Sequence, residues 1–338
     1  MNNCVIVTMN SNEIDINEWV VHNILLGFSH IYIYDDHSNP NIKDIIDLLP
    51  DEYKKCVTIY RLDCYYEIKK IDYEKTPKNN LLYFDSDLYK RHKINKQRYL
   101  MNYFLKTHKN VAKYCFFTDI DEFIYLKDDL TINTYLEKME NYDIIYIPWI
   151  YYGTSFYIDK PKGLLIDNFR FHSNKYECGK SIINMQNINE INCIHTINRS
   201  IDKNKYFDYD RNAPLFTHDI HINHYITKAY KSVIRKKKEH CLGQVSCFDR
   251  SISHIVLFHD AGGLCQVRSN HIMQKYVEKI NDVLKYELNL DHNTEKDEYK
   301  YKTPKCYLNE NKLDNAYISK NITTILEDIL QCDNVYYK

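Results

Sequence analysis

The feature that most restricts how this 338-residue chain can fold is the alternation of strand and helix signals over its first 150 residues. Residues 4–9 form a short apolar run. Ile16, Trp19, Val20 and Ile24 then recur at helical spacing, and Gly27 suits the helix end because it adopts positive φ without a Cβ clash. Residues 31–34 read as a second strand, stopped by the turn formers Asp35-Asp36-His37-Ser38-Asn39-Pro40. A third strand follows at 57–62, helical character at 88–106 and a strand at 114–118. Thr131 is placed to cap a helix before strand character returns at 144–148. Alternation with short links predicts an α/β fold: a doubly wound, mostly parallel sheet flanked by helices.

Such sheets bind ligands beyond the carboxyl ends of their strands, where the strand order reverses. Here those ends carry Thr8 and Asn10, then Asp35 and Asp36, then Asp119 and Asp121. Neither G-x-G-x-x-G after the first strand nor a G-x-x-x-x-G-K-[ST] phosphate loop occurs, so the common dinucleotide and P-loop devices are excluded. Beyond residue 150 the alternation weakens. Residues 226–240 look helical, 283–315 are polar, and 322–330 suit a closing helix. The division expected is one catalytic domain over 1–275, with halves at about 1–125 and 126–275, and an appendage at 276–338.

Charge narrows the function. Lys and Arg number 45 against 46 Asp and Glu, a net charge of −1, which argues against a general nucleic-acid binder. Tyr reaches 32 while Gly is only 7, a bias towards residues with A/T-rich codons that would fit a large DNA virus or a protist. Many tyrosines are therefore ordinary fillers. The 11 cysteines are odd in number and form no C-x-x-C pair; Cys4, Cys56, Cys115 and Cys193 lie in apolar runs where reduced thiols pack as small hydrophobes. No stretch approaches the roughly 20 apolar residues of a membrane span, and no leader pattern opens the chain. The expectation is a soluble, cytoplasmic protein.

The leading chemical motif is Cys115-Phe116-Phe117-Thr118-Asp119-Ile120-Asp121-Glu122-Phe123. In extended backbone, side chains two apart point the same way, so Asp119 and Asp121 would share a face while Ile120 turns into the core. Two convergent carboxylates suit a hard divalent cation, Mn²⁺ or Mg²⁺, that neutralises charge on a phosphate leaving group. Spacing alone is weak: about two D-x-D matches arise by chance in such a chain, and Asp85/Asp87 and Asp208/Asp210 are further examples. A solvated turn is the plain alternative. His218, His221 and His224 crowd a second segment. In a strand His221 would face away from the other two, so one histidine joining the Asp pair is more plausible than a three-His zinc cluster. H-E-x-x-H and G-x-S-x-G are absent, against metalloprotease and serine hydrolase. Lys228, about one helical turn past His224, is the better phosphate candidate among the cations there; Lys236–Lys238 read as a solvated face.

The order of these pieces resembles the glycosyltransferase family 2-like and family 92 group, nucleotide-sugar-dependent enzymes of the GT-A, Rossmann-like fold. The resemblance runs through Asn12-Glu13, Glu18-Trp19, Gly27-Phe28 and Ile31-Tyr32-Ile33-Tyr34-Asp35, then Gln97, Asn102 and Asp119-Ile120-Asp121-Glu122-Phe123. It continues in Pro148-Trp149, Gly153-Thr154-Ser155, Lys180-Ser181-Ile182, Ile194-His195, and Asn223-His224-Tyr225 with Lys228. It departs at His22-Asn23, where Tyr-His is usual, and at Ala229, where Ser is common. The resemblance implies that Thr8, Glu13 and Asp35 or Asp36 hold base and ribose. It also implies that Asp119 and Asp121 hold Mn²⁺ (or Mg²⁺) on the diphosphate, with His224 as a third metal or phosphate contact and Lys228 on phosphate. Trp149, Gly153, Thr154, Ser155, Lys180 and His195 would then shape the sugar and acceptor pocket.

The reaction so implied moves a sugar from a nucleotide-diphosphate donor, a UDP-sugar, to a hydroxyl of a glycan or glycoprotein. If the stereochemistry inverts, a carboxylate must take the acceptor proton, and Asp219, Glu177 and Asp249 are the candidates. Two rivals stand beside this. A metal-dependent phosphodiester hydrolase calls for a richer carboxylate cluster and a basic groove. A non-catalytic nucleotide-sugar-binding protein would keep the fold without turnover.

Overall fold

The structure is a computed structural model that describes residues 3–10, 12–36, 38–62, 81–82, 96–153, 155, 157, 160–191, 195, 202–229, 232, 267–268 and 273–285. The expected features at Asp85/Asp87, Thr154, Cys193, Lys236–Lys238, Asp249 and residues 322–330 lie outside this set, as do 286–315 and 88–95 of the expected helix. The chain forms two compact units, each drawn from separate segments. The first comprises residues 1–150, 175–224 and 278–285; the second draws its described residues from 151–174 and 225–277.

The first unit is the α/β fold the alternation predicts. Its parallel half contains β1 (Cys4–Asn10), β2 (His30–Asp35), β3 (Val57–Leu62), β4 (Leu81–Leu82) and β5 (Tyr114–Phe117). Helix α1 (Ile16–Leu25) links β1 to β2, and α2 (Ile42–Ile46) and α3 (Asp51–Lys54) lead to β3; α4 (Lys96–Thr107) precedes β5. The other half contains β6 (Glu122–Leu126), β7 (Ile144–Tyr151), β9 (Glu177–Asn184), β10 (Tyr206–Asp208) and β11 (Ile220–His224), with α5 (Ile132–Lys138) between β6 and β7. The sheet order is β4-β3-β2-β1-β5-β9-β7-β11-β6, with β10 beside β7. β1 pairs in parallel with both β2 and β5, so the winding reverses between β1 and β5, the place where α/β sheets open a ligand crevice. β9 runs antiparallel to β5 and to β7, and β11 antiparallel to β6.

Local chemistry accounts for these elements. β1 and β5 are apolar on both faces and nearly wholly buried, as strands covered on both sides must be. Gly27 takes φ 95°, the left-handed conformation that ends α1 without steric cost. Thr131 caps α5: its Oγ1 accepts from Thr134 N at 3.2 Å while Thr134 Oγ1 accepts from Thr131 N at 2.9 Å. Trp19, fully buried, donates from Nε1 to Glu122 O at 3.0 Å, and His22 Nε2 lies 2.8 Å from Ile124 O, so α1 is stapled to the backbone of β6. The departure at His22-Asn23 is thus a packing feature. Burial pushes the thiols of Cys4 and Cys115 well above their usual range, and both are free. Among the described residues no helix is long and apolar enough to cross a membrane.

The second unit contains α6 (Leu165–Asn168) and a two-stranded antiparallel sheet of β8 (Phe171–His172) and β12 (Val267–Arg268). Arg170 pairs with Asp167 at 2.9 Å, and Tyr152 packs its ring on Tyr225. Helix α7 (Gln274–Leu284) is the last described element. Of the helix expected over 226–240, residues 226–229 are irregular, with Lys228 at φ 50°, while Ser232 is helical and the other residues lie outside the described set. A helix needs negative φ at every residue, so Lys228 does not follow His224 by a helical turn.

Candidate active site

β5 ends at Phe117, and Thr118-Asp119-Ile120-Asp121 turns the chain into β6 at Glu122. Thr118 N donates to Val7 O at 3.2 Å, which seats this turn against the carboxyl end of β1. Ile120 is buried, as expected, but the two aspartates lie in a turn, closed by Glu122 N on Asp119 O at 3.1 Å, and not in extended backbone. The strand pleat therefore does not set their directions; their partners do.

Those partners differ. Asp119 Oδ1 accepts from Gln97 Nε2 at 2.6 Å, and its Oδ2 accepts from Lys180 Nζ at 2.9 Å. Asp121 Oδ1 lies 3.5 Å from Nε2 of His224, with both side chains nearly buried. Glu122, fully buried, accepts through Oε2 from Thr118 Oγ1 at 2.7 Å and from Asp119 N at 2.9 Å. Its Oε1 faces Lys180 Nζ at 3.8 Å and His224 Nδ1 at 4.0 Å.

The neighbouring strands deliver the rest. Gly179 on β9 approaches β7 so closely that a Cβ there would stand 1.8 Å from Ile147 O. The register slips between Pro148 and Trp149, a bulge beside a residue that has no N–H to give the ladder. That slip leaves the Trp149 ring 4.7 Å from His224 and 5.3 Å from His195, with Lys180 Nζ 5.7 Å from its centre. A cation over an indole face gains further electrostatic attraction.

Burial and charge oppose one another in this cluster. Burial pushes the Glu122 carboxyl up to about 7, although Lys180 pulls it down. Burial acts to lower Lys180, but Asp119 and Glu122 outweigh it and hold the ammonium above its ordinary range. His195 is lowered, first by burial and then by Lys180. Asp119, Asp121 and the raised Glu122 carboxyl thus gather around a single ammonium at the strand ends, where any ionised Glu122 adds negative charge beside a cation.

Among the described residues no group of three or more His, Cys, Asp and Glu is arranged to hold a metal ion. A carboxylate oxygen and an imidazole nitrogen 3.5 Å apart nevertheless present the hard and borderline donors that Mn²⁺ accepts, and Glu122 Oε1, buried without a hydrogen-bond partner, adds negative charge behind them. The residues fit such an ion, provided a ligand molecule or water completes its shell.

Of the residues singled out by sequence, Asp119, Asp121, Trp149, Lys180, His195 and His224 come together here. Thr8, Glu13, Asp35 and Asp36 lie at the carboxyl ends of β1 and β2, where Asn10 ties the loops together. Glu177 opens β9 at the same sheet edge, opposite Trp149, and pairs with Lys175 at 3.1 Å. Asp219 is not brought in. It precedes β11, whose other end holds His224, and five residues of strand put it about 16 Å away. Gly153, Ser155 and Lys228 belong to the second unit, where the Ser155 hydroxyl accepts from Arg170 N at 2.9 Å. His218 Nε2 lies 2.9 Å from Asp210 O, and His221 stacks on Tyr125, so the three histidines form no common site. Of the Asp208/Asp210 pair, Asp208 ends β10 and Asp210 opens the turn after it, its Oδ1 accepting from Asn212 N at 2.9 Å. Two participants had no role assigned from sequence. Glu122 was visible as a carboxylate inside an apolar strand; nothing local connects Gln97 with Asp119, 22 residues on.

Comparison with known proteins now bears on this geometry. The family model for glycosyltransferase family 92 matches residues 4–246, well over half of the chain. The chain belongs to glycosyltransferase family 92. Among curated proteins none matches its sequence. One solved structure with some likeness to this family 92 protein is UDP-glucose pyrophosphorylase complexed with UDP-glucose. It shows 8% identity and a TM-score of 0.27 over 56% of this chain and 72% of that one, too slight to carry any residue across. As a family 92 member the protein is a glycosyltransferase.

Proposed function

We propose that this family 92 glycosyltransferase moves a sugar from a nucleotide-diphosphate donor, a UDP-sugar, to a hydroxyl of a glycan or glycoprotein. The observation that carries the proposal is the Asp121–His224 pair at 3.5 Å, flanked by the ion pair of half-buried Asp119 with buried Lys180 at the switch between β1 and β5. Asp121 and His224 would hold Mn²⁺ or Mg²⁺, whose chemistry when bound is to draw off charge from the departing diphosphate. Base and ribose would lie over the ends of β1 and β2, near Thr8, Glu13, Asp35 and Asp36. Lys180 holds Asp119 in place through its 2.9 Å hydrogen bond to Oδ2, and Trp149 offers an apolar wall to the sugar. For the acceptor proton Glu177 replaces Asp219, since it alone of those two stands at this sheet edge.

The test is a panel of UDP-sugars, read by thermal shift and by UDP release, with and without Mn²⁺, on wild type and Asp121→Ala. Stabilisation and release that need both Mn²⁺ and nucleotide, and that fall at least about 100-fold in the variant (about 2.7 kcal/mol, the size of one lost electrostatic contact to a developing charge), are expected. No response to any UDP-sugar under either cation would overturn the proposal. Stabilisation without turnover would move it to the binding-protein alternative.

A further inference from the structure

We infer that Glu122 is the positioning residue of the donor site, one buried carboxylate that sets the Asp119 turn, the Lys180 ammonium and the ring orientation of His224. The inference rests on the donor-site reading above. Glu122 does not touch substrate, because its side chain is wholly buried. Each of its two oxygens has a separate task. Oε2 accepts from Thr118 Oγ1 and Asp119 N, so the carboxylate closes the turn on which Asp119 stands. Oε1 forms no hydrogen bond among the described residues and lies 3.8 Å from Lys180 Nζ and 4.0 Å from His224 Nδ1.

The His224 ring is bracketed. Nδ1 lies 4.0 Å from Glu122 and Nε2 3.5 Å from Asp121, so the ring sits between two carboxylates without a hydrogen bond to Glu122, and Nε2 is on the Asp121 side where the cation would bind. The base of the Glu122 side chain is itself fixed. Its carbonyl accepts from Trp19 Nε1 at 3.0 Å, and it pairs with His224 across β6 and β11. A carboxylate in the core is costly unless charge and hydrogen bonds compensate it, and an apolar residue would fill the space without that cost. Position, partners and burial together assign it to orientation.

Three full-length variants test this: Glu122→Gln, Glu122→Asp and, as a marker of the turn alone, Thr118→Val. Mn²⁺ affinity is read from the EPR signal of free Mn²⁺, beside thermal unfolding and the split between KM for UDP-sugar and kcat. Glu122→Gln keeps an acceptor at Oε2, so its fold is expected to persist while its Mn²⁺ dissociation constant rises about 10- to 100-fold. Glu122→Asp, which keeps the charge, is expected to fall between Gln and wild type. Thr118→Val is expected to lower Tm and leave Mn²⁺ affinity within threefold. Mn²⁺ affinity in Glu122→Gln within twofold of wild type would overturn the assignment. If wild type itself bound no Mn²⁺ the donor-site reading would fall as well. If Asp121→Ala lost Mn²⁺ and Glu122→Gln kept it, only the positioning role would fall.

Discussion

Two turns at the carboxyl edge of one sheet carry aspartates and use them in opposite ways. Beyond β1 and β2 the polar groups hold backbone to backbone. Asp35 Oδ1 accepts from Ser38 N at 2.9 Å, and Asn10 gives one amide hydrogen to Ser38 Oγ and takes one from Glu13 N at 3.1 Å. Asn12 Oδ1 accepts from Asn39 N at 2.7 Å. Beyond β5 the carboxylates face other charges: Asp119 faces Lys180, Asp121 faces His224, and Glu122 faces both. The first turn is a frame whose hydrogen bonds are already made. The second stores charge that a ligand can meet. An aspartate at a strand end is therefore no sign of chemistry until its partners are known.

The largest expected difference comes from removing the central cation. Lys180→Met leaves Asp119 and Glu122 facing each other without their ammonium; losing one partner of a wholly buried ion pair costs about 3–5 kcal/mol, and the 36% exposure of Asp119 brings the expected cost to about 2–3 kcal/mol. Denaturant unfolding should show a fall of that size. A drop below about 1 kcal/mol would mean that the cluster is wet and that its charges are not stored at all. Asn10→Ala is the matching change in the frame. It removes two buried hydrogen bonds, at roughly 1–3 kcal/mol, and should leave Mn²⁺ affinity unchanged. If Mn²⁺ binding weakened as much as stability, the two turns would be one coupled site and the contrast would fail.

How far the contrast was legible in the sequence follows from the range of the interactions. The strands and helices of the first 150 residues, the positive φ of Gly27 and the Thr131 cap are local matters, and periodicity with turn chemistry predicts them. Membership of family 92 rests on short segments in order, which is also information carried along the chain. The charge partners are long-range: Lys180 is 61 residues from Asp119, and Gln97 is 22 residues away on another element. Only strand order brings them together. The same limit misplaced Asp219, since its nearness to His224 in sequence says nothing until β11 proves extended and puts the two at opposite ends. The placement of Lys228 one helical turn past His224 was lost for a local reason: a residue at φ 50° stands where a helix was expected.

The smallest expected effect is the sharpest, because one substitution is made in both turns. Asp35→Asn keeps an oxygen to accept from Ser38 N, so only the extra strength of a charged acceptor is lost, about 1 kcal/mol or less. Asp119→Asn also keeps an acceptor, but it takes a charge from Lys180, which is fully buried and keeps Glu122 as a carboxylate 3.8 Å away. The Asp119 side chain is 36% exposed, so solvent screening reduces the loss to about 1–2 kcal/mol. The difference should grow in function. Asp35→Asn is expected to change KM for UDP-sugar less than threefold, whereas Asp119→Asn lowers kcat/KM by at least tenfold. Equal effects on stability and on kcat/KM would mean that the frame and the cluster hold their aspartates for the same purpose.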